Sequence, residues 1–425
     1  MACLFAICSH ESSAFLNLSR NAYPSIESDA TTVSTNPSTN LPLNDINIVI
    51  LTDVHSWVAG HGSHDPHLNA GYGDILSFYQ HLQAVLDLEQ NYGKDLFFVM
   101  NGDFLHGTGL STDPPTMLVP ILEKMPWDAV NIGNHELLYK STIEYISKPN
   151  GFIDYWKGTY LTSNVRLAET GKSLGSRYTF LKGSSNTVLT FGFLYDMINE
   201  DPSAIVDSVE NVVKEPWFHD VLQGNQGSFD AIVVLAHMDF DSPHAHLILE
   251  TIRSICGDDM TVQFISGHSH LRATEVFDEK CISVEAGRFM DTVGFVSFSN
   301  KGEFQHEFID ANIASLASTL NLQEDELSTK EGLALTKLIH DTQEEAGLLD
   351  LVACSPENYF LNRTLDSSNS LWGLYMKEVV PNHLFQLNSS KIMIQERHDF
   401  WYNLYSGESR MQISLNRVSQ NKYTL

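Results

Sequence analysis

Hydrophobic runs recur along this chain, and five of them stop abruptly at polar side chains. Ile48-Val49-Ile50-Leu51 runs into Thr52-Asp53-Val54-His55, and Phe97-Phe98-Val99-Met100 into Asn101-Gly102-Asp103. Ala129-Val130-Asn131-Ile132 runs into Gly133-Asn134-His135-Glu136, Ile232-Val233-Val234-Leu235-Ala236 into His237, and Phe264-Ile265-Ser266 into Gly267-His268-Ser269-His270. Near-continuous apolar runs of this length predict strands buried on both faces. Between the first two, residues 74–90 carry Ile75, Leu76, Phe78, Tyr79, Leu82, Val85 and Leu86 at helical spacing. Residues 116–124 and 141–147 predict two further helices, so the first part alternates strand and helix.

The middle of the chain changes character. Strands are predicted at 160–165, 178–181 and 188–195, joined by Gly/Ser turns such as Gly183-Ser184-Ser185-Asn186. A helical stretch near 204–213 follows, then strand 231–235, helix 244–256 and strand 262–266. Residues 272–309 hold three β-rich runs with a hairpin signal at Ser299-Asn300-Lys301-Gly302. The sum predicts two stacked sheets flanked by helices, in a catalytic domain at 46–310. Residues 311–350, acidic and rich in Leu, Ala and Glu, predict a linker helix. Residues 351–425 predict a smaller domain with a helix at 371–379 and strands at 391–395 and 411–416. Residues 1–45, with their Ser, Thr, Asn and Pro, predict a disordered leader.

Composition bounds what this fold can do. The 425 residues are 43% apolar and 18% charged, which suits a soluble globular protein with a sizeable core. No apolar run is long enough to span a membrane. Asp plus Glu number 53 against 25 Lys plus Arg, a formal charge of −28. That field repels nucleic acid and anionic membranes, so neither is expected as a partner. An anionic substrate then needs local positive charge, which bound cations supply. Five cysteines without a CxxC pair exclude a zinc ribbon and leave a Cys256–Cys281 disulfide open. Acidity and sequons at Asn17, Asn362 and Asn388 fit a vacuolar or extracellular location. The weak signal in residues 1–8 fits a cytoplasmic one.

The polar strand ends carry the candidate chemistry. Asp53 and His55, two apart on an extended segment, point the same way and can grip one ion. Asp103, among glycines, can bridge two cations through its two oxygens. Asn134 offers a neutral oxygen ligand, and the adjacent His135 can donate a proton to a leaving oxygen. Glu136 reads as a helix-start residue favoured by the dipole. His237, His268 and His270 complete a mixed N/O set that suits zinc, manganese or iron. His61, His64 and His67 read as a solvated loop. Taken singly, each piece has a plainer reading as an N-cap, a turn or a core histidine. Five in this order, each at a strand end, are hard to explain that way.

The order Asp-x-His, Gly-Asp, Gly-Asn-His-Glu, strand-end His and Gly-His-x-His resembles the calcineurin-like metallophosphoesterases. Gly71-Tyr72-Gly73-Asp74 and Thr162-Ser163-Asn164-Val165 resemble their 5′-nucleotidase branch. The resemblance implies a four-layer α/β/β/α sandwich with a partial or divergent C-terminal α+β domain. It implies two divalent metal ions, one held by Asp53, His55 and His270, the other by Asn134, His237 and His268, with Asp103 bridging. It further implies that Asn134 and His135 contact a small phosphorylated substrate, a nucleotide, and that a hydroxide generated at the metals attacks phosphorus. His135 would be the catalytic general acid or the stabiliser of the transition state. The motif departs from the branch pattern, where Gly-Asn-His-Glu continues Phe-Asp; here Leu137-Leu138 follow, so His135 lacks an orienting carboxylate. The short C-terminal segment keeps open a phosphodiesterase acting on cyclic or sugar nucleotides, and a non-catalytic relative acting through interactions.

Overall fold

The computed structural model describes residues 37–61, 66–355, 357–378 and 407–410. The strands expected at 391–395 and 411–416, most of the leader and His64 lie outside them. The chain divides into two compact units, the larger comprising Ile26–Gly107 and Ser111–His340.

The larger unit holds two six-stranded sheets. The first contains β1 (Ile46–Leu51), β2 (Asp95–Asn101), β3 (Ala129–Asn131) and β4 (Tyr160–Leu161) as parallel neighbours. A short pair, β5 (Val165–Leu167) and β8 (Ala204–Val206), lies apart from both sheets. The second sheet is built from β6 (Tyr178–Lys182), β7 (Thr187–Leu194), β9 (Ala231–His237), β10 (Val262–Ser266), β11 (Arg272–Asp278) and β12 (Cys281–Ala286). Its order is β11-β12-β10-β9-β7-β6, with a parallel centre and an antiparallel strand at each edge. The hairpin β13 (Thr292–Phe298) and β14 (Phe304–Asp310) returns to the first sheet, antiparallel beside β1.

Strand alternation sorts each apolar run between two cores. In β9, Ala231, Val233 and Leu235 join Ile46, Ile48, Ile50, Phe97 and Val99 between the sheets. Ile232, Val234 and Ala236 face helices α5 (Val209–Val212), α6 (Pro216–Gly224) and α7 (Pro243–Cys256). The first sheet's connections carry α1 (Tyr72–Leu86), α2 (Val119–Leu122), α3 (Lys140–Ser147) and α4 (Phe152–Tyr155), and on its opposite face Phe98 stacks on Tyr79 of α1 at 4.9 Å between centroids. The layers are therefore α/β/β/α, and continuous apolar runs arise because every central strand is covered twice. Each buried Val, Ile or Phe contributes about 1.5–3 kcal/mol relative to exposure.

Local signals set the helix ends. The Gly71 N–H donates to Asp74 Oδ2 at 2.9 Å, starting α1. Ser242 caps α7 ahead of Pro243, and Gly257 ends it at φ 85°.

Three expectations change. Residues 204–213 are not one helix: Ala204–Val206 pairs with Val165–Leu167, and only Val209–Val212 is helical. Residues 311–350 form two helices, α8 (Ile313–Thr319) and α9 (Lys330–Glu345), with a 3₁₀ turn at Glu324–Glu326 between them. Cys256 and Cys281 are both free thiols. In the smaller unit, β15 (Leu351–Ser355) pairs antiparallel with β16 (Gly407–Arg410), and Ser370 caps a one-turn α10 (Leu371–Leu374).

Candidate metal centre

Loops leaving the carboxyl ends of β1, β2, β3, β9 and β10 meet at one place. All eight residues singled out from the sequence are in or beside it. Asp53, His55, Asp103 and His270 bring four ligand atoms within 4.8 Å of one another. Asp103, His237 and His268 form a second such group. Asp103 belongs to both. Its Oδ2 is 3.6 Å from His55 Nε2 and 3.2 Å from His237 Nε2. His270 Nε2 is 3.4 Å from Asp53 Oδ1 and 3.3 Å from His55 Nε2. Asn134 Oδ1 is 3.2 Å from His237 Nε2. Donors about 2.1 Å from a common ion lie roughly 3–3.5 Å from each other, so these spacings fit cations.

The backbone is bent hard to achieve this. Asp53, His55, Asp103, His268 and His270 all sit in the left-handed region, with φ between 47° and 75°. Bulky residues adopt it at a cost, and such outliers gather at functional sites. Gly133 is required by space: a Cβ there would lie 2.2 Å from Asp103 Oδ1.

Surrounding groups aim the ligands. His55 Nδ1 faces the carbonyls of Leu105 and His106 at 3.1 and 2.9 Å, and His237 Nδ1 faces that of Asn101 at 2.8 Å. Donating Nδ1–H to those carbonyls leaves each Nε2 lone pair for a cation. Both Asp53 oxygens accept the His268 N–H at 3.1 Å, tying the first loop to the fifth. Glu285 holds that fifth loop by accepting from Ser269 Oγ at 2.6 Å and Leu271 N at 3.1 Å.

Sequence reasoning missed three groups beneath the site. Glu136 is fully buried and accepts the N–H groups of Asp103, Gly133 and Leu105 at 2.9, 2.8 and 3.0 Å. It lies in the first turn of a 3₁₀ helix (His135–Leu137), as its helix-start reading expected, and it also clasps the second loop to the third. Asn131 donates to Asn101 Oδ1 at 2.9 Å and to the carbonyls of Phe193 and Leu235 at 3.1 Å. Asn101 donates to the Ile265 carbonyl at 3.0 Å. These amides stitch one sheet to the other directly under the ligands. Their signal was present: two Asn inside apolar runs, a polar cost that a buried strand does not carry without partners.

The field of the site calls for positive charge. Burial acts to raise the Asp53 and Asp103 carboxyls, but His237 and neighbouring imidazoles outweigh it and hold both below their usual range. Burial acts to lower His237, yet Asp103 and Asp53 push it up to about 10. Burial, with His135 beside it, drives His55 down to about 3. The two carboxylates, themselves almost wholly excluded from water, thus remain ionised.

His135 stands at the mouth, 31% exposed, with Nε2 3.9 Å from Asp103 Oδ2. Its Nδ1 is buried without a hydrogen-bond partner among the described residues. Leu138 occupies the turn where a carboxylate was missed. Of the other histidines, His61 is buried, stacked on Trp57 at 4.3 Å and bonded to the Phe289 carbonyl, which corrects its reading as a solvated residue. His67 is exposed.

Residues 46–272 match the calcineurin-like phosphoesterase family, and the chain belongs to it. That family is metal-dependent, and this chain gathers two groups of side chains that could hold metal ions. A crystal structure of a 5′-nucleotidase from Candida albicans is 28% identical, with a TM-score of 0.79 covering 90% of this chain and 73% of that one. An uncharacterized protein of Schizosaccharomyces pombe is 27% identical over 83% of this chain and 64% of its own length. A protein of Arthroderma benhamiae described as secreted is 25% identical over 80% of this chain and 58% of its own. The chain thus spans less than two thirds of these two relatives. Among the described residues, no helix is long and apolar enough to cross a membrane.

Proposed function

We propose that this chain is a binuclear phosphomonoesterase of 5′-nucleotidase type, releasing phosphate from nucleoside 5′-monophosphates. The observation that carries the binuclear reading is Asp103, common to two donor groups and flanked by the half-buried His135. Likeness to the Candida albicans 5′-nucleotidase supports the substrate class.

Asp53, His55 and His270 would hold one divalent ion, and Asn134, His237 and His268 the other, with Asp103 between them. The ions, zinc, manganese or iron, would supply charge to neutralise phosphoryl oxygens and to acidify water. The chain's own residues do the rest. The carbonyls of Leu105, His106 and Asn101 fix the ligand tautomers. Asn134 directs its amide nitrogen toward a phosphoryl oxygen. His135 donates the Nε2 proton to the leaving oxygen, which departs as the nucleoside hydroxyl. The relative from Arthroderma benhamiae, described as secreted, and the exposed sequon at Asn362 support an extracellular or vacuolar location.

The test is phosphate release from AMP and from a diester, side by side, with manganese or zinc restored to metal-stripped protein. Release from AMP that a chelator abolishes is the expected result. Hydrolysis of the diester alone would replace this reading with a phosphodiesterase, and turnover of neither, with metal bound, would make the chain a non-catalytic relative.

A further inference from the structure

The acid His135 lacks the carboxylate that its motif pattern leads one to expect, yet its Nδ1 is buried. A buried imidazole nitrogen needs a partner to fix its tautomer. Leu138, one turn on, offers none. On the other side lies His106, on the loop that follows β2.

His106 is held in place by its backbone. Its φ is 58°, its N–H donates to Ser111 Oγ, and its carbonyl faces His55 Nδ1 at 2.9 Å. Its ring meets Tyr139 edge-on at 5.1 Å and His135 at 5.5 Å between centroids. Both its ring nitrogens are buried with no hydrogen-bond partner among the described residues, as is His135 Nδ1. Two imidazoles joined by an N–H···N bond have centroids roughly 5–5.5 Å apart, a hydrogen-bond length plus two ring radii. The observed separation therefore needs only a re-aiming of ring planes, now 59° apart.

We propose that His106 is the positioning residue of His135, accepting the Nδ1–H and so presenting Nε2–H to the leaving oxygen. It takes the place of the absent carboxylate. A neutral imidazole has the lone pair this requires. Tyr139 closes the far side of the ring.

The activity arm of the test rests on the phosphomonoesterase reading, and a spectroscopic arm does not. In the full-length metal-loaded protein, His106→Phe is expected to lower kcat about 10–100-fold with KM changed less than about twofold. His106→Gln, which keeps an acceptor, retains most of the activity. Leu138→Asp, placing a carboxylate one turn from His135, restores about tenfold or more in the His106→Phe background and adds little to the native protein. In the zinc-loaded protein, imidazole ¹⁵N spectra show the His135 Nδ1 resonance moving on His106→Phe and returning with Leu138→Asp. Unchanged kcat in His106→Phe, or an equal loss with and without Leu138→Asp, would overturn the proposal. If the native protein turns over neither AMP nor a diester, the function reading fails by itself, and the ¹⁵N spectra alone decide: an unmoved His135 resonance refutes the pairing.

Discussion

Asp103→Asn is expected to lose bound metal and phosphate release together. Asp103 is the one side chain common to both donor groups, and it is almost fully buried. An amide has one oxygen for coordination and no charge, so it cannot serve two cations as a carboxylate does. The change also removes one of the two carboxylates that push His237 up to about 10. Loss of several kcal/mol of transition-state charge stabilisation corresponds to a fall on the order of 10³-fold in turnover. Metal analysis beside phosphate release checks this, with content falling by one ion or more per chain. The fold should persist, because Asp103 Oδ1 accepts the His135 N–H at 2.9 Å and the Asn oxygen can still do so. An Asn variant with full metal content and native turnover would refute the site assignment.

Glu136→Gln is the second large effect, and it acts through structure. The carboxylate accepts three main-chain N–H groups from two loops while fully buried. Burial, with Asp103 nearby, pushes this carboxyl up, and the N–H donors from Leu105 and Gly133 oppose that shift. In the amide, one end becomes an NH₂ facing an N–H, so at least one buried donor loses its acceptor. That costs about 1–3 kcal/mol. Such a loss is a substantial fraction of an ordinary margin of roughly 5–15 kcal/mol. Asp103 and Asn134 would lose their relative alignment, and metal affinity is expected to fall about 10–100-fold. Thermal unfolding and metal titration read the two consequences separately. A Gln variant matching the native protein in both would mean that the clasp does not set the geometry.

These two residues mark what a sequence carries and what it hides. The residues that gather at the candidate centre were legible because each sits where an apolar run breaks, and strands covered on both faces make those runs continuous. The four layers followed from the same runs alternating with helices. Glu136 was not legible, because its donors come from Asp103 and Leu105, about thirty positions away, and a Glu after a strand looks like any first-turn acid. Asn101 and Asn131 sat in plain view, but their partners are carbonyls of the other sheet. Residues 204–206 read as helix because the local apolar spacing was compatible with one. Pairing with Val165–Leu167, again distant in sequence, decided otherwise. The break between α8 and α9 lies near Asn321 at φ 55°, a turn signal submerged in acidic, helix-prone composition. His61 followed the same rule: its stack on Trp57 and bond to Phe289 depend on the fold, so neither could be read from its loop.

The central claim is that two cations share Asp103. Anomalous diffraction from crystals of the manganese-loaded protein tests it most directly. The account predicts two peaks about 3.5–4 Å apart, one against Asp53, His55 and His270, the other against Asn134, His237 and His268, with Asp103 touching both. A single peak, or a pair that leaves Asp103 uncoordinated, would contradict it.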